Sequence, residues 1–480
     1  MSAVAERRTS EAGFSVVLAV FSILILLTLG IAMVSMVVED SDLSVLQVNE
    51  NKAFYAAHAG IEYAIVKLSA NWSWGGLASP GKTVGSGSFW IAPPDAVDET
   101  GAALPAGRKR IISTGVVGTT TRSIQVHLSG GIISTYAGTG TAGYTGDGGA
   151  ATSAQIAHPE AVSVASNGDV YYADPDNNVI RKIAAATGII TTVAGTGGNG
   201  SSGDGGLATA AKFKGPEGVF VASNGDFYIA DTGNHTIRKV TAATGIITLV
   251  AGTNPGYTGD GGAATAARLR NPASVTVASN GDFYIGDTGN DVIRKVTAAT
   301  GIITTYAGTG TAGYTGDGGA ATSARLRAPQ GLVRASNGDL YIADTGNNVV
   351  RKVTAATGVI TTYAGTGTAG FLGDGGAATA ARLSGPQDVT LTSAGDLYIA
   401  DSGNNRIRRV APGGTITTIV GTGTAGSAGD GGLATAAQLS SPRGIAISST
   451  GAYYISDRTN NKIRKVTGSF SVVAWVETRT

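Results

Sequence analysis

Two charged side chains recur together along most of this chain and are the first candidates for chemistry. An Asp stands seven residues before an Arg in six places. At this spacing the two groups can form an ion pair across a tight turn, or the carboxylate can accept N–H groups of the turn. Because all six copies carry both residues, we interpret them as structural. They are Asp174 and Arg181, Asp231 and Arg238, Asp287 and Arg294, Asp344 and Arg351, Asp401 and Arg408, and Asp457 and Arg464.

A second repeated motif, GDGG, offers one carboxylate per copy. Calcium loops supply several oxygen ligands from alternating positions, and one Asp per loop is too few. Consecutive glycines allow positive φ, so a turn explains the motif without a metal ion. We therefore predict no metal and no cofactor. The GDGG carboxylates are Asp147, Asp204, Asp260, Asp317, Asp374 and Asp430.

Three residues before the GDGG Asp, four copies carry an aromatic side chain. Aromatic rings beside polar groups are typical of sugar-binding and protein-binding surfaces. The same rings can also pack onto their own loops, and the sequence leaves both interpretations open. The four aromatic residues are Tyr144, Tyr257, Tyr314 and Phe371.

The histidines bear on whether the chain is an enzyme. There are four, His58, His127, His158 and His235, and there is no Cys. The two that fall inside the repeats occupy different repeat positions, so we expect them not to converge on one ion. We also expect no acidic cluster that breaks the repeat pattern. The prediction is a protein without catalytic activity of its own.

Composition limits the classes of partner. The net charge is +1 and only 14% of the residues are charged, which gives no electrostatic reason to expect a nucleic-acid partner. At 480 residues the chain exceeds the size of one ordinary hydrophobic core. More than one structural unit is expected.

The elements that position these residues follow from a fixed period. Successive GDGG carboxylates are 56 or 57 residues apart, which gives six repeats. The third repeat, PASVTVASNGDFYIGDTGNDVIRKVTAATGIITTYAG, alternates apolar and polar residues in four short runs separated by turn residues. Four strands per repeat and six repeats predict a mainly β protein with a six-bladed β-propeller.

The repeats resemble a known family. The run from Gly-Asp through YIADTGNN to IRKV resembles the NHL repeat, and the GTGTAGYTGDGGAAT connection resembles the NHL domains of teneurin-like proteins. The resemblance covers residues 131–467. RNA binding, which the resemblance implies for cytoplasmic NHL proteins, needs a basic face and a cytoplasmic location, and neither is expected here.

Closure of the ring is also predicted. Outer-strand copies begin before the first full repeat, so residues 131–137 should pair with residues 461–466 and complete the last blade. The strand FSVVAWVE at 470–477 then needs another partner. Either it returns to a small β region before the repeats, or it is itself the outer strand of blade six.

The N-terminal segment predicts a membrane span. Residues 14–38 carry no charge, which at helical rise is about 37 Å. Arg7 and Arg8 precede the run and Glu39 follows it, so the bulk of the chain should lie outside the cytoplasm. A cleavable signal peptide is the competing interpretation, but its apolar region is shorter.

The same segment resembles a second family. A polar leader ends at Gly13, Phe14 opens the apolar run, and AFYAAHAGIEYAIVKL follows at 53–68. This resembles the class III signal and N-terminal helix of PilX-type type IV minor pilins. The resemblance implies cleavage between Gly13 and Phe14 by a prepilin peptidase and methylation of the new terminus. Leu18 stands where major pilins carry Glu, which suits a tip or low-copy subunit, and a plain single-pass anchor stays open.

Together these patterns predict four segments: a leader (1–13), a pilin-like transmembrane and extended helix (14–68), a small pilin-like β region (69–130, completed by 468–480) and the propeller (131–467). The predicted function is a minor pilin or pilus-tip subunit in the inner membrane or in surface pili. It would contact other pilin subunits and display the propeller for adhesion or for recognition of a protein or glycan. The alternative is a membrane-anchored periplasmic propeller that acts as an interaction or sensor module without filament assembly.

Overall fold

A computed structural model describes residues 131–468, five strands outside that range, and helical residues at 52, 53, 56, 57 and 59. The leader, the apolar run at 14–38 and most of the predicted helix up to 68 lie outside the described residues. No helix in the described part is long and apolar enough to cross a membrane. The chain divides into two compact units, of which the larger comprises residues 133–430 and 436–467.

The smaller unit contains a five-stranded antiparallel sheet. Its strand order is β1, β2, β3, β4 and then the last strand of the chain, β29. The bounds are β1 Leu77–Val84, β2 Gly87–Ile91, β3 Arg108–Val117, β4 Thr120–Ser129 and β29 Ser471–Arg479. In the register of the edge pair, Trp475 lies opposite Val126.

A helix lies directly against this sheet. A Cβ atom at Gly115 of β3 would lie 2.1 Å from the carbonyl oxygen of Ala53, so only glycine fits under the helix backbone. Ala53, Ala56 and Ala57 are buried there. The close approach of backbone to backbone fixes this helical segment on the sheet.

The larger unit is a six-bladed β-propeller, as the repeat count predicts. Each blade is a four-stranded antiparallel sheet. The first strands lie side by side around the axis and close into a ring. They are β6 Val162–Val164, β10 Gly218–Val221, β14 Pro272–Val277, β18 Pro329–Arg334, β22 Pro386–Leu391 and β26 Pro442–Ile447.

The second and third strands form the body of each blade. The second strands are β7 Val170–Asp174, β11 Phe227–Asp231, β15 Phe283–Asp287, β19 Leu340–Asp344, β23 Leu397–Asp401 and β27 Tyr453–Asp457. The third strands are β8 Val179–Ile183, β12 Thr236–Val240, β16 Val292–Thr297, β20 Val349–Val353, β24 Arg406–Val410 and β28 Lys462–Thr467.

The outer strands show how the ring closes. They are β9 Ile190–Ala194, β13 Ile247–Ala251, β17 Ile302–Ala307, β21 Ile360–Ala364, β25 Ile416–Val420 and, in blade six, β5 Ile132–Ala137. The expected closure is confirmed, because a strand from the start of the ring completes the last blade. That place is therefore taken, and β29 pairs with β4.

Two sets of one-turn 3₁₀ helices lie in the connections. The first set follows the GDGG motifs at Ala151–Ser153, Ala208–Ala210, Ala264–Ala266, Ala321–Ser323, Ala378–Ala380 and Ala434–Ala436. The second joins the second and third strands at Pro175–Asn177, Thr232–Asn234, Thr288–Asn290, Thr345–Asn347, Ser402–Asn404 and Arg458–Asn460. Because the strands are antiparallel, each second-to-third turn lies at the end of the blade at which the long connection leaves the outer strand and enters the next first strand, and we call this end the upper face.

Apolar side chains fill the space between neighbouring blades. Between blades two and three, for example, Ile237 and Tyr228 of one blade pack with Ile285 and Leu269 of the next. Alternation along each strand places such residues on both faces of the sheet. Each blade therefore depends on its two neighbours for burial.

One particular hydrogen bond also recurs at every interface between blades. The left-handed residue that ends each second-to-third turn accepts an N–H from the connection entering the next blade, at 2.7–3.1 Å. Five acceptors are Asn or Asp side chains, and one is Nδ1 of His235. The pairs are Asn178 with Gly215, His235 with Asn271, Asp291 with Ala328, Asn348 with Gly385, Asn405 with Ser441, and Asn461 with His158.

Candidate functional site

The repeated Arg residues lie on the third strands and are almost completely buried. Arg294 Nη2 lies 2.5 Å from Oδ1 of Asp260, and Arg181 Nη2 lies 2.6 Å from Oδ1 of Asp147. Arg181 also donates to the carbonyl oxygens of Gln155 and Thr145. A fixed fork of donors on a buried guanidinium thus holds the long GDGG connection against its blade.

The GDGG carboxylates are therefore ion-pair partners, which the sequence argument missed. It paired each Arg with the Asp seven residues earlier, but that Asp is the more distant partner, as at Arg238, whose Nη1 lies 3.7 Å from Asp231 Oδ2 and whose Nη2 lies 3.0 Å from Asp204 Oδ1. The sequence does contain a sign of this pairing, because the GDGG Asp precedes its Arg by 34 residues in every repeat.

The second-strand Asp residues bind the side chain of an Asn in the turn that follows them, whereas the sequence argument expected them to accept backbone N–H groups of that turn. Asp344 Oδ1 accepts the backbone N–H of Arg327 at 2.7 Å, and its Oδ2 accepts Nδ2 of Asn347 at 2.8 Å. Burial raises the pKa of Asp344 to about 6, although Asn347, the N–H of Arg327 and the Arg351 guanidinium act in the opposite direction. The six copies share this arrangement and form no distinct centre.

The four aromatic residues lie against the repeated Arg residues. The Tyr257 ring stacks under the Arg294 guanidinium at 5.3 Å, and its hydroxyl group hydrogen-bonds Thr305 at 2.8 Å. Gly310 of the next connection lies against the same ring, where an added Cβ would come within 2.7 Å. Tyr144, Tyr314 and Phe371 stack in the same way and are each about 40% exposed.

These contacts give each aromatic ring a structural task. One face lies under a guanidinium, which cation–π attraction favours, and the ring also touches the following connection at Tyr144, Tyr257 and Tyr314. A ligand could stack only on the exposed remainder. Ligand binding by the four residues stays a prediction.

The two ring histidines occupy separate places. His158 Nδ1 lies 2.6 Å from Asp176 Oδ2 in the connection and turn of blade one, whereas His235 ends the corresponding turn of blade two. Burial, together with Lys214 and Arg270, lowers the pKa of His235 and keeps Nδ1 available as an acceptor. Among the residues that the structure describes, no group of His, Asp and Glu is placed to hold a metal ion. His58 lies outside them.

One position breaks the sixfold pattern, at the upper end of the axis. The residue after each strand-opening proline lines a cavity there, and the six blades carry four different residue types at this position. We call this ring the axial mouth. Its members are Glu160, Glu217, Ala273, Gln330, Gln387 and Arg443.

Most polar side chains at the axial mouth already have partners. Glu160 Oε1 lies 2.5 Å from Nε of Arg458, and its Oε2 lies 3.6 Å from Nε of Arg443. Arg443 Nη1 donates to Gln387 Oε1 at 2.8 Å. Below them Asp388 accepts two backbone N–H groups, from Val389 and Ile445. These bonds set one side of the mouth in a fixed arrangement.

The carboxyl groups here are poised near neutral pH. Burial, together with the nearby Glu160 carboxylate, raises the pKa of Glu217 to about 7, although Arg443 and Arg458 act in the opposite direction. Burial likewise raises the pKa of Asp388 to about 7, and its two N–H donors act in the other direction. Perturbed carboxyl groups that line one cavity are a common feature of functional sites.

Beneath the axial mouth lies the channel enclosed by the first strands. Its cavity is about 280 Å³ and is lined by apolar residues together with Ser163, Thr276 and Thr390. Ala161, Ser274 and Asp388 line both this cavity and the mouth above it. The mouth thus opens onto a mixed apolar and polar channel.

The expectation of no acidic cluster outside the repeat pattern is wrong. Glu160, Glu217 and Asp388 line one cavity at the end of the axis; the two Glu residues share a repeat position that is not acidic in the other four blades, and Asp388 has no acidic equivalent. The sequence signal for the two Glu residues is the position after the repeat prolines, which reads E, E, A, Q, Q and R along the chain.

Comparison with known proteins identifies the repeats. The family model described as NHL repeat matches residues 213–240 and 383–410, which contain the first three strands of blades two and five. Two of the six repeats thus match the NHL repeat. The chain is 30% identical over 251 residues to Protein SUPPRESSOR OF QUENCHING 1, chloroplastic, of Arabidopsis thaliana, a match that covers 50% of this chain and 24% of that protein.

Human teneurin-1 is 29% identical over 277 residues, which are 50% of this chain and 10% of teneurin-1. The chain thus spans a quarter or less of these relatives. Among solved structures, an auxiliary nutrient binding protein from Bacteroides ovatus has a TM-score of 0.53 at 17% identity, over 81% of this chain and 92% of that one. That likeness shows the shared fold.

The prediction that this chain is not an enzyme needs correction. Its structural neighbours include virginiamycin B lyase from Staphylococcus aureus, with a TM-score of 0.41 and 14% identity over 80% of this chain and 99% of that one. A gluconolactonase from Xanthomonas campestris has a TM-score of 0.44 and 12% identity over 66% and 87%. These distant likenesses assign no reaction to this chain. The small number of histidines, however, does not exclude catalysis.

Proposed function

We propose that this NHL propeller is a binding module that recognises its ligand at the axial mouth. The observation that carries the proposal is the break in symmetry there, because a ring needed only for stability could use one residue type in all six blades. Pockets with a few convergent polar groups and perturbed carboxyl groups are the usual sites of ligand binding. A protein or glycan of the cell surroundings is the expected ligand class.

We further propose that the N-terminal part carries the propeller outside the cytoplasm as a minor pilin or pilus-tip subunit. The polar leader up to Gly13, the apolar run at 14–38 and the basic residues before it support this location. An α-helix on an antiparallel sheet that the last strand of the chain completes also fits a pilin-like unit. Its partners would be other pilin subunits and a prepilin peptidase.

One observation favours a second candidate, a membrane-anchored module that never enters a filament. Leu18 stands where major pilins place the Glu that neutralises the terminal amine of a neighbouring subunit. An unpaired amine buried in an apolar filament core is costly. The absence of this carboxylate weakens ordinary shaft packing and leaves membrane anchoring unaffected.

Intact mass spectrometry separates the two candidates. Protein is recovered from the cell envelope and from sheared surface filaments of the producing cells. We expect a species that lacks residues 1–13 and carries one added methyl group in the sheared fraction. An uncut chain confined to the membrane would overturn the pilin proposal and leave the tethered module.

Binding at the axial mouth is tested by thermal denaturation against a panel of mono- and disaccharides, amino acids and short peptides. A ligand that binds the folded state raises the melting temperature with its concentration. We expect such a rise in the wild type and its loss in Gln330→Ala. A rise that the variant keeps would move the binding site away from the mouth, and a panel without any rise would count against these ligand classes.

A further inference from the structure

The side chains of the axial mouth are not equally satisfied, and those of Glu217 and Gln330 are without a hydrogen bond to any residue that the structure describes. Glu160 is paired with Arg458 and Arg443, and Gln387 accepts from Arg443. The Glu217 carboxylate has no hydrogen bond and no ion pair with any residue that the structure describes. Only its backbone is engaged, through N–H donation to Thr232 Oγ1 and Ala230 O.

The neighbour of Glu217 leaves room beside it. The next blade carries Ala273 at the position where blades four and five carry Gln330 and Gln387. Ala273 lines the mouth together with Glu217 and Gln330, and its short side chain takes up less of the cavity than a Gln at the same position would. The cavity here is about 40 Å³, which is space for on the order of three water-sized groups.

We infer that the axial mouth binds the ammonium head group of its ligand, with Glu217 as the counter-ion and Gln330 as a second acceptor. This inference rests on the proposed binding function and names the chemistry that the mouth recognises. A primary ammonium group has three N–H donors and fits a space of this size. The remainder of the ligand would extend upward from the face or down into the channel.

The balance of charge selects a cation. Three carboxyl groups, Glu160, Glu217 and Asp388, share the mouth with two guanidinium groups, Arg443 and Arg458. Arg458 is hydrogen-bonded to Glu160, and Arg443 donates Nη1 to Gln387, while its buried Nε lies 3.6 Å from Glu160 without a hydrogen bond. Glu217 is the carboxyl group left without a cation, and an ammonium group beside it would supply one.

The same geometry predicts how binding depends on pH. Glu217 faces Glu160, Arg443 and Arg458, and burial with the repulsion of Glu160 raises its pKa to about 7. A bound cation stabilises the ionised carboxylate and so lowers this pKa. By linkage, affinity for the cation rises as the pH increases through about 7.

The test measures binding of propylammonium chloride to the full chain by ligand-observed saturation-transfer NMR, with propan-1-ol and sodium propionate as probes of the same size. We expect saturable binding of propylammonium alone, about tenfold weaker after Glu217→Gln. Gln stands at the equivalent position in blades four and five, so this variant retains a side chain that the ring accepts.

Ala273→Gln is a second test variant. It leaves Glu217 in place and fills part of the cavity with a side chain from the same repeat position. We expect it to remove propylammonium binding as well. Binding that survives both substitutions, or no saturable binding of propylammonium, would overturn the ammonium inference. Binding of propan-1-ol or propionate that Ala273→Gln abolishes but Glu217→Gln does not would also overturn it, while leaving the mouth as a binding site.

Discussion

At the scale of single residues, the ring contains two kinds of charged side chain with different tasks. The repeated Arg residues are buried, and each holds its GDGG connection through the carboxylate of that motif. In the axial mouth, Glu217 has no such cation. Changes in the first set should therefore lower stability directly, whereas changes at Glu217 should alter ligand binding and the way stability depends on pH.

Asp317→Asn tests the first set. The substitution removes the charge that faces buried Arg351, whose Nη2 lies 2.5 Å from Asp317 Oδ1, and we expect a loss of about 2 kcal/mol in the free energy of unfolding. Urea denaturation measures it. The control is Asp176→Asn, which breaks a solvent-exposed pair with His158 and should cost under about 1 kcal/mol. Equal losses would contradict a special role of the buried Arg.

Glu217→Gln tests the second set through pH. The folded-state pKa of Glu217, about 7, lies above the ordinary value of 4.5, so ionisation is penalised in the folded state. The wild type should therefore lose stability as the pH rises from about 4.5 through 7, by up to ~2 kcal/mol, and Gln lacks this loss. Denaturation midpoints at pH 4.5 and pH 8 decide it: parallel pH profiles for the two proteins would disprove the raised pKa.

At the scale of elements, closure of the ring depends on strand β5 and on the residue that follows it. Gly138 has φ +91°, and a Cβ there would lie 2.3 Å from the carbonyl oxygen of Asn461 in the last turn of blade six. The chain thus passes directly over the turn that it joins. No L side chain fits at this crossing without displacing the backbone.

Gly138→Ala should accordingly destabilise the ring by more than about 3 kcal/mol, because backbone strain and a backbone clash act together. Gly188 offers a matched control, since it has φ +68° and open space around the added Cβ. Gly188→Ala should cost only about 1 kcal/mol, which is the price of the left-handed conformation. Thermal unfolding compares the two, and similar losses would show that the crossing is not a tight point.

At the scale of the whole molecule, both ends of the ring lie in one blade. Strand β5 enters blade six beside β28, which is the last strand before the chain leaves the ring. The ring therefore closes without help from the small sheet, and the proposed boundary near residue 131 can be tested by cutting there.

A fragment of residues 131–468 should fold alone and unfold in one cooperative step. A second fragment, 139–468, lacks β5 and leaves β28 as an open apolar edge, so we expect it to aggregate or to unfold at much lower denaturant concentration. Circular dichroism with size-exclusion chromatography checks both. A longer fragment that fails to fold would show that the ring needs the remainder of the chain.

The sequence predicted the ring well and its chemistry poorly, for a physical reason. Period, turn residues and alternation are local, so six blades of four strands and the closing strand could be predicted. The bond from Arg351 to Asp317 crosses 34 residues and depends on the path of a long connection. The axial mouth assembles single residues from all six blades, so Glu217 and Arg443 become neighbours only when the ring is closed.

The likeness between repeats has a consequence for folding. Residues 131–154, which contain β5, and residues 301–324, which contain β17, differ at one position, Ser134 against Thr304. The edge of β28 can therefore accept the closing segment of another copy as readily as its own, and refolding becomes a competition between intramolecular closure and strand exchange. Dilute refolding should give monomers, and concentrated refolding should give exchanged dimers that persist on dilution, because separation requires opening a blade in each copy.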